Sequence, residues 1–225
     1  MSTLADIRDR IIDKVKDDSG KLTNPDDYDR NINEAVSRYS RARPRIIAED
    51  ITGDGGHDYN LPTGWDEDFS TVLQIEFPVD NVPADLLEAE DYTIYQAVTG
   101  KKLRLLSDAP SATESFRVTH TALRDATTIP DADIDALACL AASLCCDDLA
   151  NAFAQVSNST FGADSVDHRS ISDRFASRAK KLMALYKDHM GIRDDASVPP
   201  ASAVKDLDRD YPWGEDRLTH PRRYR

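Results

Sequence analysis

The segment that most constrains the fold of this chain is an alanine-rich apolar stretch at residues 137–153, which carries two adjacent cysteines. Because alanine leaves little side-chain bulk, a second helix can approach such a segment closely. We expect a long helix that is opened by Ile129-Pro130-Asp131. Its apolar positions recur at helical spacing: Ile134, Leu137, Ala141, Leu144, Leu149 and Phe153.

Three further segments have an apolar stripe at helical spacing. The first covers residues 3–16 and is capped by Ser2 or Thr3. In the second, Asn24 is the predicted cap, Pro25 is the predicted first helical residue, and Pro44 stops the helix. The last runs from about Ser170 to Gly191. Four stripes, each with a polar side behind it, predict a four-helix bundle.

The middle of the chain has the two-residue alternation of β-strands. The cluster Gly53-Asp54-Gly55-Gly56 predicts a hairpin turn between a strand near Ile46–Ile51 and a returning strand at Tyr59–Pro62. A second turn is predicted at Gly100. The other predicted strands are 70–77, 92–97, 103–106 and 116–121. In the last of these, Phe116, Val118 and His120 share one face.

These patterns predict an α+β fold that is mainly α. The four-helix bundle core is formed by residues 1–44 and 129–191, and residues 45–128 form a small antiparallel β unit inserted between the two helical pairs. Residues 192–225 form an extended C-terminal tail.

Composition limits the class of protein. The formal net charge is −13, and because residues 192–225 hold seven acids and seven bases, the excess lies in residues 1–191. Residues 1–191 therefore repel nucleic acid, which argues against a protein that binds specific DNA or RNA sequences. No apolar run approaches the roughly 18 residues that span a bilayer, and the first ten residues do not form a signal peptide. We therefore expect no membrane contact.

The three cysteines, Cys139, Cys145 and Cys146, lack the spacing of a disulfide framework or a zinc site. We expect them to be small buried hydrophobic residues in a reducing cytoplasm.

No motif predicts a catalytic group, a metal or a cofactor. The glycine cluster at 53–56 has no lysine and no following helix, so it is a turn rather than a phosphate loop. The acids Asp131, Asp133 and Asp135 resemble the start of a calcium loop, but the later ligand positions hold alanine; they favour the start of a helix instead. The trio Asp164, Asp167 and His168 lacks further ligands at metal spacing.

The C-terminal tail has the composition of a docking segment. Four prolines keep it extended and reduce the entropy lost on binding. Aromatic residues and arginines dominate interface energies, and the end of the tail, 217–225, holds four arginines and no acid. We expect a tail that orders only against a partner. Its predicted partner-binding residues are Tyr211, Trp213, Arg217, Arg222, Arg223, Tyr224 and Arg225.

Four passages of the chain resemble the head–tail connector, or adaptor, proteins of tailed bacteriophages. The first is the opening helix with Asn31-Ile32-Asn33-Glu34-Ala35, Tyr39 and Pro44. The second runs from Leu61-Pro62 and Trp65 to Ile75-Glu76-Phe77-Pro78. The third is Ile129-Pro130 with the segment 140–145, and the fourth is the segment 163–168 with Ser170, Ala179-Lys180 and Tyr186.

The resemblance implies a structural virion protein with a helical core, made in the host cytoplasm and located in the neck between head and tail. Such proteins form a ring of twelve subunits under the portal, and their C-terminal tails bind portal subunits. The implied partners are further copies, the portal, the next neck or tail component, and genomic DNA that passes through the channel without specific binding. An acidic channel lining would limit adhesion of that DNA.

Two other classes remain open. One is a soluble interaction or assembly-chaperone protein that never joins a particle. The other is an enzyme acting on nucleic acid or cell wall, for which the sequence offers no nucleophile or acid–base pair.

Overall fold

The computed structural model describes residues 3–107, 109–154 and 171–192. Its helices are α1 (Leu4–Val15), α2 (Asp26–Ala42), α3 (Ile134–Ala154) and α4 (Ile171–Met190), and a 3-10 turn at Asp131–Asp133 leads into α3. The strands are β1 (Arg45–Thr52), β2 (Asp58–Asn60), β3 (Val72–Glu76), β4 (Tyr92–Ala97), β5 (Gly100–Leu105) and β6 (Ser115–Ala122).

The boundaries of α1 and α2 follow local signals. The Thr3 hydroxyl accepts a hydrogen bond from the Asp6 amide, and Asp6 accepts one from the Thr3 amide, so α1 starts with a complete capping box. Helix α2 ends at Ala42, just before Pro44, as predicted. Its start differs from the prediction, because Pro25 occupies the cap position and no side chain caps the helix.

The prediction of a four-helix bundle core was wrong. In a bundle each helix buries one stripe and leaves the rest in solvent. In this fold α3 is enclosed by α1, α2 and α4, and every residue from position 136 to 143 is buried. Alanine, cysteine and leucine residues of α3 occupy most of its circumference, so the helix has no continuous polar side. The core residues that the three outer helices contribute include Ile7, Ile11, Val15, Ile32, Ala35, Tyr39, Leu182 and Tyr186.

The enclosed helix also corrects the expectation about apolar length. By length and composition alone, Asp131–Ala154 is sufficient to cross a membrane, with a mean hydropathy of 1.4 in its most apolar window. However, 67% of that window is buried inside the protein. The core helix of a globular domain has the same composition, because its surroundings are other side chains rather than lipid.

Six strands form two antiparallel sheets. In the first sheet the order is β1-β6-β3, with β6 in the centre. In the second the order is β2-β5-β4, with β5 in the centre. The sheets share one core, formed by Ile75, Phe116 and Val118 from the first and Tyr59, Leu103 and Leu105 from the second. The buried face predicted for Phe116, Val118 and His120 is confirmed, since all three are fully buried.

The predicted hairpin at residues 53–56 was wrong, because β1 pairs with β6 and β2 pairs with β5. The Gly53 amide extends the β1–β6 ladder by donating to the carbonyl of Glu114 at 2.9 Å. The Gly55 amide donates to the carbonyl of Pro110 at 2.8 Å. The loop before β6 therefore holds this turn, and the chain crosses to the second sheet before β2 begins.

The turn predicted at Gly100 is confirmed. Strands β4 and β5 form a hairpin in which Ala97 faces Gly100. Gly100 has a φ of 121°, a conformation that side chains with a Cβ rarely adopt.

Candidate interaction surfaces

The junction between the helices and the sheets is organised around the buried carboxylate of Asp133. The Tyr39 hydroxyl donates to it at 2.5 Å and the Arg43 guanidinium at 2.8 Å, and the His189 ring nitrogen Nε2 lies 2.8 Å away. Burial by itself would raise the pKa of this carboxyl, but the hydrogen bonds from Tyr39, His189 and Arg43 lower it. One carboxylate therefore connects the end of α2, the start of α3 and the end of α4.

Arg124 connects the two segments by which the chain passes between the helices and the sheets at this junction. Its guanidinium donates to the carbonyls of Arg43 at 2.8 Å, Pro44 at 3.2 Å and Thr128 at 2.6 Å. Its amide donates to the Ser40 hydroxyl at 3.1 Å. The segment from α2 into β1 is thus tied directly to the segment from β6 into α3.

Helix α2 is joined to α3 by a second polar contact. The side-chain amide of Asn31 donates hydrogen bonds to the Asp148 carboxylate at 2.9 Å and to the Cys145 sulfur at 3.3 Å. Arg30 also approaches Asp148, at 3.5 Å. These bonds fix how α2 lies along the enclosed helix.

The cysteines are free and buried, as predicted. Burial raises the pKa of Cys145 to about 12 and that of Cys146 to about 11, and it also raises the pKa of Cys139. Thiols with these pKa values remain protonated at neutral pH, and it is the thiolate that attacks and binds metals. They serve as packing groups of α3.

Arginine–carboxylate pairs support the outer faces of both sheets. Arg104 forms a two-bond pair with Asp58 at 2.6 and 2.7 Å, which lowers the Asp58 pKa to about 2. Arg117 forms a similar pair with Asp50 at 2.7 and 3.0 Å and reaches Glu76 at 3.3 Å. These pairs cross neighbouring strands and help to set the register.

A groove of about 490 Å³ opens between β1 and β2. Its walls include Glu49, Asp54, Tyr59 and Lys102. Glu49 accepts hydrogen bonds from the Thr63 amide and hydroxyl at 2.6 and 3.0 Å. The Glu49 carboxylate is therefore already hydrogen-bonded within the chain. The groove is open to solvent and does not enclose a substrate pocket.

Strand β1 is an edge of the first sheet. Since the Gly53 amide bonds to β6, the odd-numbered residues of β1 direct their backbone groups toward β6. The even-numbered residues, Ile46, Ala48, Asp50 and Thr52, direct theirs outward. An outward row of this kind is able to pair with another strand.

His120 and Trp65 form a buried contact with unpaired polar atoms. The rings lie 5.7 Å apart, and neither ring nitrogen of His120 nor the Trp65 indole nitrogen has a hydrogen-bond partner among the described residues. Burial lowers the His120 pKa, so the imidazole is neutral at pH 7.

Two helices expose rows of opposite charge. On α1 the acids Asp6, Asp9 and Asp13 are exposed. On α4 Arg174 and Lys181 are exposed and Arg178 is half-buried. In the part of the chain that the structure describes, neither Asp9 nor Asp13 forms an ion pair, and none of these three bases does. The bases of α1 form their ion pairs within the chain, because Arg8 binds Asp29, and both Arg10, at 3.9 Å, and Lys14, at 3.0 Å, approach Asp135.

The residues predicted to bind a partner, Tyr211, Trp213, Arg217, Arg222, Arg223, Tyr224 and Arg225, lie outside the described residues, as do Asp164, Asp167 and His168. Over the described ranges, no group of three His, Cys, Asp or Glu side chains has the geometry of a metal site. Asp133 instead accepts the hydrogen bond from Tyr39, and Asp135 forms an ion pair with Lys14.

Sequence reasoning missed the Asp133 network. Its members are 94, 90 and 56 residues from Asp133 along the chain. No short spacing relates them, so no local signal marks the site. The acidic row of α1 and the basic row of α4 were missed as well, although both rows have the helical spacing of three and four residues in the sequence.

No protein-family model matches the chain, and no curated protein matches it. Among solved structures, the chain is similar to one in "Neck of empty GTA particle computed with C6 symmetry", with 13% identity and a TM-score of 0.29 over 75% of this chain and 87% of that chain. Another is in "Virion of native gene transfer agent (GTA) particle", with 14% identity and a TM-score of 0.28 over 77% and 88%. A third is in "Neck of native GTA particle computed with C12 symmetry", with 14% identity and a TM-score of 0.28 over 77% and 92%. TM-scores of this size do not establish a common fold, so no function is taken from these structures.

Proposed function

We propose that the chain is a structural subunit of the neck of a tailed, phage-like particle. In this role it is a head–tail connector that forms a ring under the portal, joins capsid to tail and lines the channel through which DNA passes. The function requires no catalysis and no cofactor.

One observation carries the proposal. The residues that give the chain its resemblance to connectors are also residues that join its helices. Asn31 binds Cys145 and Asp148 of α3, and Tyr39 binds Asp133 at the start of α3. Tyr186 of α4 is buried in the same core. The resemblance therefore concerns contacts that set the helical arrangement, and not only the composition of exposed surfaces.

The charge of the chain agrees with a place around a DNA channel. A net charge of −13, repeated in every subunit of a ring, repels phosphate and limits adhesion of passing DNA. The ring size of twelve follows from the resemblance alone.

In this proposal residues 192–225 form the arm that binds the portal. Its anchors are Tyr211, Trp213, Tyr224 and the arginines 217, 222, 223 and 225. Aromatic rings supply buried area, and arginines supply directional hydrogen bonds to an acidic or grooved surface.

The first experiment locates the chain in purified particles. Particles from the host that encodes the chain are purified, and their proteins are identified by mass spectrometry and imaged by electron microscopy. We expect the chain in a ring between portal and tail. Absence from particles, combined with a requirement for the chain during assembly, would favour the alternative of an assembly chaperone.

The second experiment tests the arm. Deletion of residues 194–225, and the milder double change Trp213→Ala with Arg222→Ala, should abolish or weaken co-sedimentation with portal. The matched control is Val204→Ala with Lys205→Ala, which changes an apolar and a basic residue outside the predicted anchors. Equal portal binding by the deletion variant and the full chain would exclude the arm as the portal anchor.

A further inference from the structure

The acidic row of α1 and the basic row of α4 have matching spacings. The acids Asp6, Asp9 and Asp13 follow one another at steps of three and four residues. The bases Arg174, Arg178 and Lys181 follow at steps of four and three. The first and last residues of each row are seven positions apart, or about 10.5 Å along the helix. If the helices are laid antiparallel, Asp6 faces Lys181, Asp9 faces Arg178 and Asp13 faces Arg174.

The two rows do not pair with each other in the part of the subunit that the structure describes. Both α1 and α4 pack on α3 through their apolar sides. The apolar side of α1 carries Ile7, Ile11 and Val15, and that of α4 carries Ala179, Leu182 and Tyr186. The charged rows lie outside these apolar sides, so the acidic row of α1 and the basic row of α4 do not face each other within the described part of one subunit.

The acidic row is only partly compensated by its own helix. Arg10 lies on the same exposed face, four residues after Asp6 and three before Asp13, but its ion pair is with Asp135 at 3.9 Å. Asp9 and Asp13 are four residues apart on this face, where like charges repel. One carboxylate oxygen of Asp6 accepts hydrogen bonds from the backbone amide and the hydroxyl of Thr3. These bonds fix the position of the carboxylate without cancelling its charge. A row of three bases at the same spacing would remove this repulsion.

We infer that the basic row of α4 in one copy of this chain binds the acidic row of α1 in a second copy, with the two helices antiparallel. This inference deepens the proposed ring and rests on it. The contact uses different surfaces on the two copies and is therefore heterologous, the type of contact that closes a ring or extends a filament. A nucleic acid is the less favoured occupant of the α4 row, because the rest of the chain is strongly acidic.

The test is charge reversal with rescue, measured by size-exclusion chromatography with light scattering on the full chain. Reversing α1 (Asp9→Lys with Asp13→Lys) places like charges opposite each other and should raise the dissociation constant of the oligomer about tenfold or more. Reversing α4 (Arg178→Glu with Lys181→Glu) should do the same. In an equimolar mixture, an assembly that alternates the two variants places opposite charges at every contact, because the reversed α1 row meets the reversed α4 row and the wild-type α1 row meets the wild-type α4 row. The variant carrying all four changes also restores opposite charges at every contact. Both the mixture and the four-fold variant should therefore regain assembly, whereas each reversal variant alone should not.

The matched control for the α1 reversal is Glu88→Lys with Glu90→Lys, which gives the same change in net charge on an exposed loop and should leave assembly unchanged. Helical circular dichroism confirms that each variant is folded. The neutral pair Asp9→Asn with Asp13→Asn should weaken assembly less than reversal does. Added salt should weaken the wild-type oligomer, since exposed charges are screened within about 10 Å at 0.1 M.

Three results would overturn the inference: a wild-type chain that is monomeric at every concentration reached, reversal variants that assemble normally, or a four-fold variant that is not rescued. Binding of the wild-type chain to a DNA duplex that disappears on reversal of α4 would assign that row to nucleic acid instead. Failure of the interface leaves detection of the chain in particles unaffected, and absence from particles leaves the charge-reversal result unaffected, so the two failures can be told apart.

Discussion

The hydroxyl of Tyr39 donates a hydrogen bond of 2.5 Å to a carboxylate oxygen of Asp133, which is 94 residues further along the chain. Tyr39 is fully buried, and burial together with this bond raises its pKa. The bond links the last turns of α2 to the start of α3, on the two sides of the β region. It therefore determines how the helices are placed relative to the point where the chain enters and leaves the sheets.

Removing that hydroxyl should loosen the junction. Tyr39→Phe leaves Asp133 with Arg43 and His189 but removes one hydrogen bond to a buried charge, and we expect a loss of about 1–2 kcal/mol in the free energy of unfolding. Tyr186→Phe is the matched control, because the Tyr186 hydroxyl forms no hydrogen bond with a described residue; it should change stability by less than about 0.5 kcal/mol. Urea denaturation measures both. Equal effects of the two changes would contradict the role of the Asp133 bond.

Acid should destabilise the protein through His120. Burial lowers its pKa from 6.5, so as pH falls the unfolded chain takes up a proton at His120 before the folded chain does. The stabilising contribution is complete above pH 6.5 and is lost as pH falls below it. His120→Leu should flatten this part of the curve of stability against pH, measured by urea denaturation at pH 5 to 8. An unchanged slope in the variant would show that other groups cause the dependence.

The three thiols should be slow to react in the folded protein. All are buried, and burial raises the pKa of Cys145 to about 12 and of Cys146 to about 11. With Ellman's reagent at pH 8 we expect a negligible increase in absorbance for the folded protein in buffer. In guanidinium all three cysteines should react. Rapid reaction of a thiol in the native protein would contradict the enclosed position of α3.

Gly53 should not tolerate a side chain. A Cβ at this position would lie 2.3 Å from the carbonyl oxygen of Pro110, a backbone atom that cannot simply rotate away. Gly53→Ala should therefore destabilise the protein by about 1–3 kcal/mol through displacement of the loop before β6. In the control Gly56→Ala the nearest atom is a side-chain oxygen of Asp54 at 3.0 Å, which can move. A comparison of thermal unfolding in the two variants tests this, and the prediction fails if Gly53→Ala is the milder change.

Enlarging α3 should be costly on a side where a bundle helix would face solvent. Ala136 lies off the predicted apolar stripe and is buried, and Ala136→Leu should lower the free energy of unfolding by about 1–3 kcal/mol because three carbons must be accommodated in a packed core. Ala184→Leu adds the same atoms on an exposed position of α4 and should be nearly neutral. Similar stabilities of the two variants, measured by guanidinium denaturation, would argue against enclosure of α3.

Local features of the fold were predicted correctly where nearby residues decide them. The cap at Thr3, the end of α2 before Pro44 and the turn at Gly100 each depend on a few adjacent residues. The alternation of Phe116, Val118 and His120 identified the buried face of β6 for the same reason.

The hairpin at residues 53–56 failed because a glycine-rich turn specifies a change of direction and not the strand that pairs next. Pro110 and Glu114, more than fifty positions away, accept the hydrogen bonds that hold this turn. Likewise, four apolar stripes predicted four equivalent helices, whereas the alanines and cysteines of α3 allow neighbours on nearly every side.

Short-range patterns were enough to predict most of the helices and strands, the distribution of charge and the packing role of the cysteines, because propensity, capping and periodicity act over a few residues. Long-range packing is what encloses α3, divides the six described strands into two sheets with one core, and brings Asp133 into contact with three helices. Those outcomes depend on burial and hydrogen bonds between residues far apart in the chain, and the free energy of such contacts exists only after the segments have packed together.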